Sequence, residues 1–536
     1  MTPPFGLRID CLHLPQGAVE HAMEIPQVFI STAEGTAHAM QPRALQPRSP
    51  LSYICRNALA ADRSGRWRAA CSIGAACTAL AQLALYAQPG FALDSPVPEP
   101  AAATAQAPAA VDSNEVEMPD STEQGQVQLP DSFDNRPIKA LIHDSSLAGL
   151  RDTTYSTQIR SFYLDRINFD NSISQAWTLG GSAGLKTGYF GDVIAIGATG
   201  YTSQRLEGPL DKDGTKLLQP RQEPYTAIGE LYGQFRLSDT ITATAGRKAF
   251  DTPFINTQDS LMTPNTFVGY AVVGAIGSTD EKTLRFGAGY IDKIKPRNAQ
   301  DFESMATAAG APGGVERGVY MSGANFKAGA LSIGAIDYYS ADIINILYSE
   351  IKYAIPLTKR VSLRIGAQYA DQSSTGSDLL TGKSFATHQV GFKTELALGP
   401  ALFTVARTLT GVGTVTGTGA GSGTDMRNPW GGYPGYTSVQ IEYFYRAGEN
   451  ATMLRAAYNF PRLTGLSVYA LWVDGSPPNV ENQYAQKEYD LNVKWTPQSP
   501  AWRRLTLLAR YGHVSQGGPT DQHEDELRLI LYYQLR

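Results

Sequence analysis

The sequence has almost no cysteine, and what there is comes early. Cys11, Cys55, Cys71 and Cys77 are the full set. A chain processed after that point has no disulfide framework, no thiolate metal site and no cysteine nucleophile. Charge is sparse too: 18% of residues are Asp, Glu, Lys or Arg and the net charge is -5 over 536 residues. Neither nucleic acid nor another polyanion is implied as a partner. After about residue 93 no stretch is apolar for the ~20 residues that a spanning helix needs. The later histidines, His143, His388, His513 and His523, lack metal-ligand spacing. No Gly-x-Ser-x-Gly elbow is present. The glycine-rich run at 417–423 lacks the strand-to-helix setting of a phosphate cradle. No catalytic, cofactor or metal site is therefore expected, and the chain does not read as an enzyme.

One continuous apolar run is present, "AACSIGAACTALAQLALYAQPGFA" at 69–92. Arg63, Arg66 and Arg68 precede it, and Gly90 and Ala92 end it. A basic start, an apolar middle and a small-residue end make a cleaved secretory signal. A transmembrane anchor fits less well, because the run is short and alanine-rich. Residues 1–62 then read as an upstream extension from a misassigned translation start, so that 1–92 is extension plus signal. The mature chain would begin near Leu93. Residues 93–154 are rich in Ala and Pro and then acidic, a composition that buries no core and reads as a flexible tether and lead-in.

From 155 to 536 the pattern changes to period-two alternation, the mark of strands with two unlike faces. In "VSLRIGAQY", Val361, Leu363, Ile365 and Tyr369 oppose Arg364 and Gln368. In "YDLNVKW", Tyr489, Leu491, Val493 and Trp495 oppose Asp490, Asn492 and Lys494. "VIAIGATGY" and "LSVYALWV" are ambiguous in parity. Short turns ("LSDT", "FKAGAL", "PLTKR", "LGPA") tie strands at one end. Longer polar stretches separate the hairpins at the other: 203–224, 249–266, 293–316, 371–386, 411–449, 474–486 and 515–525. With 52 Gly and 27 Tyr, this layout predicts an all-β fold, a transmembrane antiparallel β-barrel of about 18 strands. The chain ends on "ELRLILYYQLR", with leucines on one parity and Arg528 on the other. In lipid an open edge leaves backbone groups unpaired at several kcal/mol each, so this strand must close against the first. A soluble β-sandwich would also alternate, but its turns would be short at both ends.

The parity assignment places Arg236, Arg285, Lys352, Arg364, Lys393, Arg455, Lys494, Arg510 and Arg528 inward, as a pore-lining basic ladder. Glu230, Glu350, Glu395 and Asp490 share that face. A line of bases in a narrow wet channel concentrates anions, and arginine grips a carboxylate bidentately. Charges of both signs would also suit any polar lumen.

Seven stretches together resemble the OprD family of outer-membrane porins: "KTGYFGDV" (186–193), "GRKAFDTPFINTQDSLMTPNTFVG" (246–269), "IKPRN" (294–298), "RGVYMSGANF" (317–326), "YYSADIINILYSEIKY" (338–353), "DQSSTGSDLLTG" (371–382) and "PWGGYPGYTSVQ" (429–440). The resemblance covers residues 155–536. It implies a monomeric barrel of eighteen strands in the bacterial outer membrane, surrounded by its lipid and passing small, mostly carboxylate-bearing solutes. It also implies inward-folded loops, at 249–266 and 411–449, which make Asp251, Asp259 and Ser260 constriction candidates. The chain departs from the family where Leu261, not a basic residue, follows Asp259 and Ser260, and in its acidic Pro/Ala tether. A selective channel for carboxylates or amino acids is the expectation. A nonselective diffusion porin is the alternative, and a barrel enzyme or surface-binding barrel a more distant one.

Overall fold

The computed structural model describes residues 149–535, apart from 279–281, 418–421 and 482. The expected export segment, the cysteines and the tether as far as residue 148 lie outside the described residues. Among the described residues no helix is long and apolar enough to cross a membrane. The chain crosses with strands instead.

Long strands follow one another as β1 (Thr154–Ile167), β2 (Ile173–Lys186), β3 (Ile194–Glu207), β4 (Tyr225–Arg236), β5 (Ile241–Lys248), β6 (Thr266–Ser278), β7 (Lys282–Lys295), β8 (Val319–Ala328) and β9 (Leu331–Ser340). The second half continues as β10 (Ile344–Thr358), β11 (Val361–Ser373), β12 (Phe385–Leu398), β13 (Ala401–Thr410), β14 (Asn450–Asn459), β15 (Leu466–Gly475), β16 (Gln486–Trp495), β17 (Leu505–Gln516) and β18 (Gln522–Gln534). Each pairs antiparallel with its sequence neighbours. β18 pairs with β1, from Gln158↔Gln534 to Ile167↔Asp525, so the sheet closes on itself. The leucines of the last strand therefore face out, as an edge-free cylinder in lipid requires. One short helix, α1 (Met305–Ala309), stands in the loop after β7.

The two faces differ as the alternation demands. Outward Phe392 and Val405 are each 51% exposed, while inward Gln368 and Asn492 are 5% and 4% exposed. The ambiguous strands resolve for a local reason. In β15 both faces are apolar: Tyr469, Leu471 and Val473 point inward under Tyr436 and Phe444, with Val468 and Trp472 on the opposite parity. In β3 the inward face is small, Ala195 and Gly197, because the Tyr232 ring lies against Gly197.

Two expectations need correction. The polar stretches at 203–224, 371–386 and 515–525 are not all loop: β3 runs to Glu207, β11 to Ser373 and β17 to Gln516, and β18 starts at Gln522. These strand ends are polar on both faces, so the alternation is lost although the ladder continues. Nor is the interior polar throughout. Phe254, Ile255, Tyr338, Ile346, Tyr348, Trp430 and Tyr433 form a buried apolar cluster. It exists because two loops fold into the barrel and must bury their own side chains there.

Candidate permeation site

The loop after β5, at 249–265, and the loop after β13, at 411–449, meet inside the wall. Ile255 and Trp430 form a parallel bridge. The Asn256 amide donates to the Gly432 carbonyl at 3.0 Å and accepts from the Gly432 N–H at 2.8 Å. Phe254 packs edge-on against Tyr338, Tyr348 and Tyr433, with ring centroids 6.0, 6.1 and 5.7 Å apart. The Trp430 indole N–H donates to the Met305 carbonyl at 2.8 Å, which ties α1 to the same plug.

Two charged clamps hold the loops to the wall. The first grips the tip of loop 249–265. Arg160 of β1, only 4% exposed, donates to both carboxylate oxygens of Asp259 at 2.7 and 2.9 Å and also to the Leu261 carbonyl. Arg297 donates to the Ser260 hydroxyl at 2.7 Å. Asp251 is outside this clamp; it is hydrogen-bonded to the Thr257 backbone. The second clamp grips 440–442 with acids from the wall. Glu488 accepts from the Ile441 and Glu442 N–H groups, each at 2.8 Å, and Asp490 accepts from the Gln440 N–H at 3.1 Å. Glu526 accepts from the Gln440 amide at 3.1 Å and binds Arg166, while Arg528 donates to the Gln440 carbonyl at 3.2 Å. Buried backbone N–H groups need such partners, and charge-assisted bonds are the strong kind.

The nine bases assigned inward all lie on the inward parity of their strands, Arg528 at mid-strand and the other eight on the side of the short turns. They do not form one uniform line. Arg510 and Arg528 are direct cross-strand partners. Lys494 is the next inward position after Asn492, which pairs with Arg510. On β10 to β12 each base has an acid nearby. Lys352 bridges Glu350 at 2.8 Å, Lys393 bridges Glu395 at 3.4 Å, and Arg364 is the cross-strand partner of Glu395. Arg455 stacks over Tyr469 at 4.2 Å. Arg236 bridges Asp192 at 3.7 Å and stacks on Tyr189, and Arg285 lies on the inward face of β7.

Sequence reading missed the bases at the constriction itself. Arg160 and Arg297 hold the loop tip, Arg166 and Arg528 hold Glu526 at the second clamp, and Lys216 feels the charges of Arg166 and Arg297. Burial, with Arg528 alongside, pushes the Arg297 guanidinium down to about 10, still charged at neutral pH. Burial and then Arg297 and Arg166 lower the Lys216 ammonium in the same way. β1 carries a legible signal for two of the missed bases, since Arg160, Phe162, Leu164 and Arg166 alternate. The wrong-way mixture of apolar and basic residues on one parity hid it.

This geometry, a closed barrel narrowed by two clamped loops, matches a known family. The model of "outer membrane porin, OprD family" fits residues 149–536. The chain belongs to the OprD family. Solved porin structures share its fold. OccK9 (OpdG) of Pseudomonas aeruginosa superposes with a TM-score of 0.63 at 19% identity, covering 72% of this chain and 100% of that one. OccAB3 of Acinetobacter baumannii gives 0.62 at 15% identity, covering 72% and 99%. OpdK of Pseudomonas aeruginosa, solved with vanillate, gives 0.58 at 20% identity, again covering 72% and 99%. No curated protein sequence matches the chain. Membership of this porin family makes the chain a channel of the bacterial outer membrane, with its short turns on the periplasmic side and its loops outside.

Proposed function

We propose that this porin is a selective channel for passive uptake of small solutes, carboxylate-bearing anions or amino acids, exported by a cleaved signal and working as a monomer. The observation that carries the reading is the pair of arginines on the tip of loop 249–265, Arg160 at Asp259 and Leu261 and Arg297 at Ser260, with the cross-strand pair Arg510 and Arg528 on the wall. Below that point the inward bases from Arg510 to Arg364 continue towards the periplasm. A carboxylate that passes the loops meets guanidinium groups able to bind it bidentately. Several weak sites in series let a solute enter and still leave. Glu350 and Glu395 temper the field, which keeps each site weak. OpdK, a structural neighbour, was crystallised with vanillate, an aromatic carboxylate.

Liposome swelling tests the reading. Proteoliposomes should admit small carboxylates faster than neutral sugars of equal size. Equal rates for charged and neutral solutes of matched size would instead make the chain a nonselective diffusion porin.

A further inference from the structure

The periplasmic rim is divided in charge. Between β10 and the end of β18 four turns follow one another there, at 359–360, 399–400, 460–465 and 496–504. They carry Lys359, Arg360, Arg462, Arg503 and Arg504 and no Asp or Glu. The other half of the rim mixes its signs, with Asp192 beside Arg236 and Asp239 in the turn between β4 and β5. Backbone bonds lace the basic turns into one surface. The Gly399 N–H donates to the Arg360 carbonyl at 2.9 Å, and the Asn459 N–H to the Pro400 carbonyl at 2.9 Å. The Thr496 N–H donates to the Gly465 carbonyl at 2.8 Å, and the Gln534 N–H to the Arg504 carbonyl at 2.9 Å.

All five bases are exposed. Arg504 donates to the Leu535 carbonyl at 2.7 Å. Among the described residues the side chains of Lys359, Arg360, Arg462 and Arg503 make no ion pair and no hydrogen bond. Large apolar side chains stand exposed between them: Leu357, Leu463, Trp502 and Leu535. The outward faces of Leu398 and Tyr458 continue from these into the lipid-facing wall. At a membrane edge such apolar groups lie among acyl chains, while guanidinium and ammonium groups reach the headgroups. A soluble acidic protein would satisfy the charges, but it would have to displace acyl chains from the leucines and the indole.

We infer that this half of the rim binds anionic phospholipid of the periplasmic leaflet. Lys359, Arg360, Arg462 and Arg503 face the phosphodiester, and Leu357, Leu463 and Trp502 face the acyl chains. Charge complementarity selects the occupant. Bases with no acid between them favour a headgroup of net negative charge, such as phosphatidylglycerol, over a zwitterionic one. Clusters of Lys and Arg beside a membrane edge recognise anionic lipid in this way. Each base close to the surface contributes about fivefold in affinity. The inference needs only the orientation of the barrel in its membrane and is independent of the solute that passes.

The test is native mass spectrometry of the full-length barrel in neutral detergent, incubated with equimolar phosphatidylglycerol and phosphatidylcholine of the same acyl chains. In dilute ammonium acetate the unmodified barrel should retain phosphatidylglycerol over phosphatidylcholine by at least about fivefold. A variant with Lys359→Gln, Arg360→Gln, Arg462→Gln and Arg503→Gln, checked for folding by heat-modifiable migration, should retain the two lipids equally. Lys282→Gln removes an exposed base from the other half of the rim and should leave the preference unchanged. Raising the salt from 0.1 M to 1 M should abolish the preference of the unmodified barrel, because the Debye length falls from about 10 Å to about 3 Å. Equal retention by the unmodified barrel would overturn the inference. So would a preference that survives the four substitutions, or one that Lys282→Gln removes. If the fourfold variant fails to fold, the salt series decides, and a preference undiminished at the higher salt would overturn the inference.

Discussion

Asp259→Asn tests the clamp on the constriction. The substitution keeps the shape of the side chain and removes its charge. Arg160 then remains 4% exposed, bound to an amide and to the Leu261 carbonyl. Removing one partner of a fully buried ion pair costs about 3–5 kcal/mol. The Asp259 side chain is 44% exposed, so solvent screening reduces this to about 1–2 kcal/mol. That energy holds the loop tip to β1 and not one strand to another. Barrel stability, read as heat-modifiable migration on gels, should therefore stay the same. The population with a released tip should rise about 5–30-fold. Single-channel recordings should show larger open-channel noise and higher mean conductance, while Asp259→Glu should stay near the unmodified protein. Conductance and noise equal to the unmodified protein in a correctly folded Asp259→Asn barrel would refute the claim that this ion pair positions the loop.

Phe392→Arg puts a charge on the lipid face near the middle of β12 and should cost about 2–4 kcal/mol in a refolding titration. Arg364→Gln, on the lumen face, should cost under ~1 kcal/mol and lower anion conductance instead. Glu442, in loop 411–449, is pushed up by burial and by Glu449, with Arg446 opposing. A raised folded value means the folded loop binds the proton more tightly, so its docking should strengthen as pH falls through that value towards the ordinary carboxylate range near ~4.3. Current noise should fall as the pH is lowered from neutral towards that range, and Glu442→Gln should reduce the fall. Gly181 sits at φ +135 with the Gln158 carbonyl 1.9 Å from where a Cβ would stand, so Gly181→Ala should slow folding of the β1–β2 hairpin in a refolding assay.

The barrel was legible because lipid outside and water inside enforce strict alternation, strand after strand. It was lost only where the physics relaxes. β3 and β18 leave the apolar band and become polar on both faces. β15 faces a loop rather than water and becomes apolar on both. The constriction was half legible. Asp259 and Ser260 lie in a stretch whose motif marks it, but their partners come from β1 and from the loop at 296–318, remote in sequence and joined only by closure of the cylinder. The acids Glu488 and Glu526 read as ordinary lumen charges. Their work, holding the N–H groups of 440–442, depends on a loop position that no local pattern encodes.

The central claim is that the lumen below the loops prefers anions. The most direct measurement is the reversal potential of single channels in a potassium chloride gradient, for the unmodified protein and for a combined Lys352→Gln, Arg364→Gln and Arg510→Gln variant. None of these three side chains holds a loop clamp, so the constriction should survive. The unmodified channel should show a reversal potential of the sign for anion preference, reduced or abolished in the variant, with the difference fading at high salt. A cation-preferring or unselective unmodified channel, or a variant with an unchanged reversal potential, would contradict it.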